Sequence, residues 1–159
     1  MQIFVGPDIF GATNRPEDKM KTTQGKLTKT IVARLERGED LYTSLTRLVR
    51  ENDIRNGCFQ VMGALGRAKV GIFEDGRYEW VSHEGALEIS SCVGNIAVKE
   101  GEPFVHCHAV LNDHRGTILG GHVGEGCIAD PTAEVHVQVY EGELTRRFDD
   151  ETGLWLLDI

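Results

Sequence analysis

Residues 104–111 alternate with a period of two, and no other feature of this chain constrains its fold as tightly. Val105, Cys107, Ala109 and Leu111 form one apolar parity, and Phe104, His106, His108 and Val110 form the other. A β-strand sends successive side chains to opposite faces, so the first set suits a core. The second set places His106 and His108 on one face, about 6.6 Å apart along the strand. The signal around this segment is also β. Residues 59–65 form one run, broken by Gly63 and Gly66, and residues 67–74 and 77–82 flank Asp75-Gly76, a dipeptide that favours a tight two-residue hairpin. Residues 87–99 form a long run with a bulge or bend expected at Gly94. Residues 117–123 return after the polar turn Asn112-Asp113-His114-Arg115-Gly116 as a second hairpin. Asp130-Pro131 makes a corner before residues 132–140, and Trp155-Leu156-Leu157 reads either as a final short strand or as a docking tail.

Against about eight or nine mainly antiparallel strands the chain offers one clear helix, predicted over about 40–53. Leu41, Leu45, Leu48 and Val49 recur at i, i+4, i+7 and i+8 as a single apolar stripe. Asp40 suits the N-cap, and Arg47 and Arg50 lie near the C-terminal end, where cations complement the helix dipole. The fold class is therefore α+β. Residues 1–26 hold no sustained period and read as an N-terminal extension, loose or draped over a neighbouring subunit. Residues 27–142 read as the domain and 143–159 as a C-terminal tail.

A chain of 159 residues, 40% apolar and 26% charged, is the size of one soluble domain with one core. No apolar run approaches the roughly 18 residues that span a bilayer. The first residues have neither a basic nor a continuous apolar region, so a cytoplasmic address is expected. The formal charge of −8 argues against attachment to nucleic acid or anionic lipid by bulk electrostatics. Cys58, Cys92, Cys107 and Cys127 form no CxxC pair and are expected to be reduced and mostly buried. A Gly-rich phosphate loop, a nucleophile elbow and a dinucleotide fingerprint are all missing.

The chemistry concentrates at three histidines. The hairpin partner of 104–111 carries Ile118, Gly120 and His122 on one parity, which brings His122 to the pair His106 and His108. Gly120 and Gly121 leave room beside it for a close backbone approach or for a ligand. A single histidine on a strand is usually an ordinary core or surface residue; two at i, i+2 with a third on the adjacent arm make a metal site. Three neutral imidazoles leave a fourth position for water, the arrangement of an open zinc site, although another divalent transition metal would fit the same donors. Such a site lowers the pKa of bound water towards about 7 and polarises carbonyls. His83 and His114 read as solvent histidines, and His136, sharing a face with Thr132, Glu134 and Gln138, reads as part of a solvated face. Glu134 is the candidate acid/base and Arg67, after Gly66, the candidate clamp for an anionic substrate.

The segments Gly101-Glu102-Pro103-Phe104-Val105-His106-Cys107-His108-Ala109, Gly116-Thr117-Ile118-Leu119-Gly120-Gly121-His122 and Glu125-Gly126-Cys127 resemble the PPC domain family (plant and prokaryote conserved), prokaryotic stand-alone type. The resemblance runs from about residue 29 to 140 and includes Arg37-Gly38-Glu39-Asp40-Leu41 and Thr132-Ala133-Glu134-Val135. It implies a compact α+β domain with a highly curved, mainly antiparallel sheet, a homotrimer, and metal ligation by His106, His108 and His122. It also carries the label of DNA-binding protein, which in plant members accompanies an AT-hook. This chain has no Arg-Gly-Arg-Pro core, and Gly85-Ala86-Leu87-Glu88-Ile89-Ser90 matches the plant Gly-Arg-Phe-Glu-Ile-Leu motif only at glycine, glutamate and isoleucine. At the level of fold the chain is similar to acetolactate decarboxylase, whose zinc sits on three histidines, although a shared fold does not fix function.

Three readings follow: a zinc-dependent lyase or hydrolase for a small oxygenated metabolite, a trimeric DNA-associated module with a structural metal, and a metal-stabilised oligomer that binds a metabolite without turning it over.

Overall fold

The computed structural model describes residues 20–159; most of the expected 1–26 extension lies outside the described residues, and residues 20–26 have no regular secondary structure. The elements are β1 (Leu27–Leu35), α1 (Leu41–Glu51), β2 (Gly57–Glu74), β3 (Arg77–Lys99), β4 (Glu102–Asn112), β5 (Ile118–Val123), β6 (Ile128–Tyr140), β7 (Thr145–Asp149) and β8 (Leu154–Asp158). The strands form one eight-stranded sheet in the order β1-β6-β2-β5-β4-β3-β7-β8. Pairings are antiparallel except where β7 meets β3 in parallel at Val98 and Thr145. Because β2 also pairs with β3, the strands β2, β5, β4 and β3 close into a ring, which makes the sheet highly curved. Register shifts in β2 between Val61 and Ala64, and again between Leu65 and Arg67, bend the long hairpin as bulges do.

One face of the sheet encloses the core, where Phe59, Val61, Leu65, Ile96, Val105, Leu111, Val135 and Val137 are buried. The helix α1 covers this face with Leu41, Leu45 and Val49, the stripe expected from its spacing, and packs against β4 and β6. Asp40 caps it: Oδ1 accepts from the Thr43 N–H at 2.9 Å, while Oδ2 accepts from the Gly126 N–H at 2.6 Å and ties the helix start to the loop after β5. Asn52 closes the other end by donating to the Leu48 carbonyl. Among the described residues no polar side chain is fully buried, and no helix is long and apolar enough to cross a membrane. All four cysteines are free, three of them buried.

Gly63 and Gly66 do not divide β2, and β3 runs unbroken through His83, because each strand is held on its length by neighbours rather than by local propensity. Gly94 marks no bulge. It stands where a methyl group would overlap the Phe59 ring, so glycine there serves packing, and the irregularity against β4 falls between Ile89 and Ser91. The strand β6 begins ahead of Asp130-Pro131 and passes through it beside a register shift against β2, a position where proline's missing N–H is tolerated. Residues 143–159 form a hairpin, β7 with β8, packed beside β3.

Candidate metal centre

The alternation of 104–111 is realised side chain by side chain. Val105, Cys107, Ala109 and Leu111 are each no more than 3% exposed, while His106 and His108 project from the opposite face. The tight turn 113–117 sets the partner's register: Asp113 Oδ1 accepts from the N–H groups of Arg115 and Thr117, and His108 falls directly opposite His122. Gly121, at φ +151, allows β5 to approach β2; a Cβ there would lie 2.5 Å from the Gly71 carbonyl oxygen. Of the two uses foreseen for the glycine pair, Gly121 thus serves the backbone contact.

Each histidine offers a ring nitrogen, and the three donor atoms lie within 4.8 Å of one another. The Nε2 atoms of His106 and His108 are 3.3 Å apart. Tetrahedral zinc with bonds of about 2.0 Å has donor–donor edges of about 3.3 Å, so this pair matches the coordination geometry. The nearest cysteine in sequence, Cys107, points into the core on the other face, which leaves an all-imidazole donor set. Burial pushes the His106 ring down to about 4, assisted by the Arg146 charge and then by His122 and His108. His122 is lowered too, first by burial and then by His108. Both shifts hold the rings neutral, the state in which imidazole ligates a metal.

Arg146, from β7, stands behind His106. Its Nη1 donates to the Trp155 carbonyl at 2.7 Å, and its Nη2 donates to Asn95 Oδ1 at 2.7 Å and to His106 Nδ1 at 3.1 Å. Since arginine only donates, Nδ1 of His106 is here the acceptor. Were His106 to hold a metal through Nε2, its ring proton would sit on Nδ1 and this third arginine contact would be given up. On the other side, the Tyr78 hydroxyl lies 3.4 Å from His122 Nε2, and its ring packs edge-on against that imidazole.

The other candidates lie apart from the triad. Glu134 pairs with Met62 on β2, whereas His122 pairs with Gly71; nine residues, about 30 Å of strand, separate the two positions. Arg67 is exposed, and its Nε donates to Glu84 at 3.0 Å. His114 and His136 are exposed, and His83 pairs with Ala68 in mid-β3. Within one chain, neither the foreseen acid/base nor the foreseen clamp reaches the histidines. Sequence reasoning passed over Arg146, Tyr78, Lys99 and Trp155. They line, with the histidines, a cavity of about 350 Å³ walled by the β7–β8 hairpin. The segment Thr145–Asp149, with two adjacent arginines and no apolar alternation, carries no local signal that distinguishes a site from a solvated strand.

The model of the Plants and Prokaryotes Conserved (PCC) domain matches residues 22–141. Among solved structures, a metal-containing protein from Archaeoglobus fulgidus is 30% identical with a TM-score of 0.80, over 88% of this chain and 100% of that one. A plant- and prokaryote-conserved (PPC) protein from Pyrococcus horikoshii is 31% identical with a TM-score of 0.79, over 88% and 98%. A protein from Ralstonia eutropha described as a candidate DNA-binding protein is 26% identical with a TM-score of 0.74, over 80% and 90%. Among curated proteins, the bifunctional protein GlmU of a Synechococcus strain is 30% identical over 149 residues, 92% of this chain and 22% of that protein. The chain thus spans about a fifth of the length of the curated relatives it matches.

Proposed function

Because the chain belongs to the Plants and Prokaryotes Conserved (PCC) domain family, we propose that it is a homotrimeric metal-binding protein in which His106, His108 and His122 hold a divalent transition metal, zinc by the character of the donors, in a site open to a small ligand. The observation that carries this reading is the convergence of three imidazoles, two of them at a tetrahedral edge of 3.3 Å. Among the described residues no fourth His, Cys, Asp or Glu joins the cluster. Three imidazoles with one position left for solvent are the donor set of open zinc sites. The metal-containing relative from Archaeoglobus fulgidus supports the same reading. A bound zinc supplies Lewis acidity to an oxygen ligand at that open position.

Self-association is supported by the apolar side chains left exposed on the histidine-bearing face: Val93, Val110 and Ile118. Contiguous exposed apolar surface of this kind usually marks a contact.

A zinc-dependent lyase or hydrolase for a small oxygenated metabolite remains the alternative use of the site, favoured by the Tyr78 hydroxyl beside His122. The DNA-binding description comes from relatives such as the Ralstonia eutropha protein. A net charge of −8 disfavours that role for this chain, and a mobility shift that appears at low salt and fades steeply as salt rises would restore it.

The reading is tested by metal analysis of the purified protein. It expects about one zinc per chain in the wild type and almost none in His108→Ala. Absence of transition metal from both proteins overturns it.

A further inference from the structure

We propose that the cavity between the three histidines and the β7–β8 hairpin binds a small carboxylate with an aromatic or branched apolar body. The charge around this cavity is the first argument. The chain carries 25 acidic residues against 17 basic ones, yet the described residues lining this cavity include Lys99 and Arg146 and not one aspartate or glutamate. A concave site that excludes carboxylates from an acidic protein selects an anion from solution.

Neither cation is paired with a carboxylate among the described residues. Lys99 forms no ion pair among the described residues; its Nζ instead lies 5.3 Å above the Phe104 ring and 4.8 Å above the Trp155 ring. Arg146 is set in place by the Trp155 carbonyl and Asn95 Oδ1, while its Nε is buried without a partner. A guanidinium held in place on the same cavity wall as a lysine supplies the positive charge that a carboxylate needs.

The walls define the rest of the ligand. Phe73, Phe104, Leu154, Trp155 and Leu156 present apolar and aromatic surface. The volume of about 350 Å³ is at the small end for ligand pockets. An inorganic anion would leave that surface unused, and a neutral apolar molecule would leave Lys99 and Arg146 without a counter-charge. The hairpin that supplies Arg146 and Trp155 lies past residue 141, where the family match ends.

This deepens the metal reading and rests on it only in placing a ligand oxygen near the three histidines. The test is calorimetric titration of the zinc-treated full-length protein with benzoate, acetate and benzyl alcohol, with zinc content measured on the same samples. Benzoate is expected to bind at least about tenfold more tightly than either partial mimic. Lys99→Met and Trp155→Ala should each weaken benzoate about tenfold while leaving the zinc content unchanged. Zinc bound without benzoate binding, or benzoate binding no better than acetate and indifferent to Lys99→Met, overturns the pocket. Benzoate binding in a protein that holds no zinc sustains the pocket and overturns the metal reading instead.

Discussion

His106 carries two constraints that meet in one ring. Its Nε2 faces His108 while its Nδ1 faces Arg146, and burial together with that guanidinium lowers its pKa from 6.5 to about 4. The sign of the consequence follows from linkage: the fold favours the neutral ring, so its stabilising contribution is fully present above about pH 6.5 and is lost as pH falls through about 4. Metal-free wild type should therefore lose melting temperature more steeply between pH 6.5 and 4.5 than His106→Gln, where nothing titrates at that position. Parallel pH profiles for the two proteins would contradict this. The ligand role is a separate matter. Replacing any one of the three histidines by alanine should weaken zinc by more than about 100-fold, since losses of supporting residues alone cost 10–100-fold. Competition with a chromogenic chelator measures it, and an unchanged affinity in His122→Ala would remove that residue from the ligand set.

Two elements hold the site in place, and each has a residue that can be tested. Asp40 caps α1 and reaches Gly126 beyond β5, so Asp40→Ala should cost about 1–2 kcal/mol in urea denaturation. Gly121→Ala forces a Cβ towards the Gly71 carbonyl at a φ of +151 and should cost about 2–3 kcal/mol, separating β5 from β2. A change below about 0.5 kcal/mol in either variant would show that the contact is not needed. The helix, both tight turns and the histidine face were legible in the sequence because each is written in local terms: a period, a cap, a Gly at positive φ. Glu134 shows the limit of that reading. Parity assigns a residue to a face but not to a place along the sheet, and the register puts Glu134 about nine residues from the level of His122. Arg146 shows another limit. In the segment Thr145–Asp149 two arginines look like solvated charge, and only the tertiary contact of β7 with β3 places one of them, half-buried, behind His106.

At the scale of the molecule, the eight-stranded sheet turns one face to the core and leaves the other with the histidines and a set of exposed apolar residues. Light scattering should accordingly find a species of three chains, each of 17.6 kDa, and Val110→Asp on the outer face should shift it towards single chains. A wild type that stays at one chain mass across concentrations would contradict the assembly. The acidic balance of the whole chain is set against a cation-lined cavity with no acidic residue, which makes the centre a local exception to the molecule's charge. Everything proposed about the centre depends on what the three imidazoles hold. X-ray absorption at the zinc edge of the purified protein tests this most directly. The account predicts a shell of four light atoms, three nitrogens and one oxygen, at about 2.0 Å with the outer-shell pattern of imidazole rings, a pattern lost in His108→Ala; sulfur at about 2.3 Å, or a spectrum unchanged by that substitution, would contradict it.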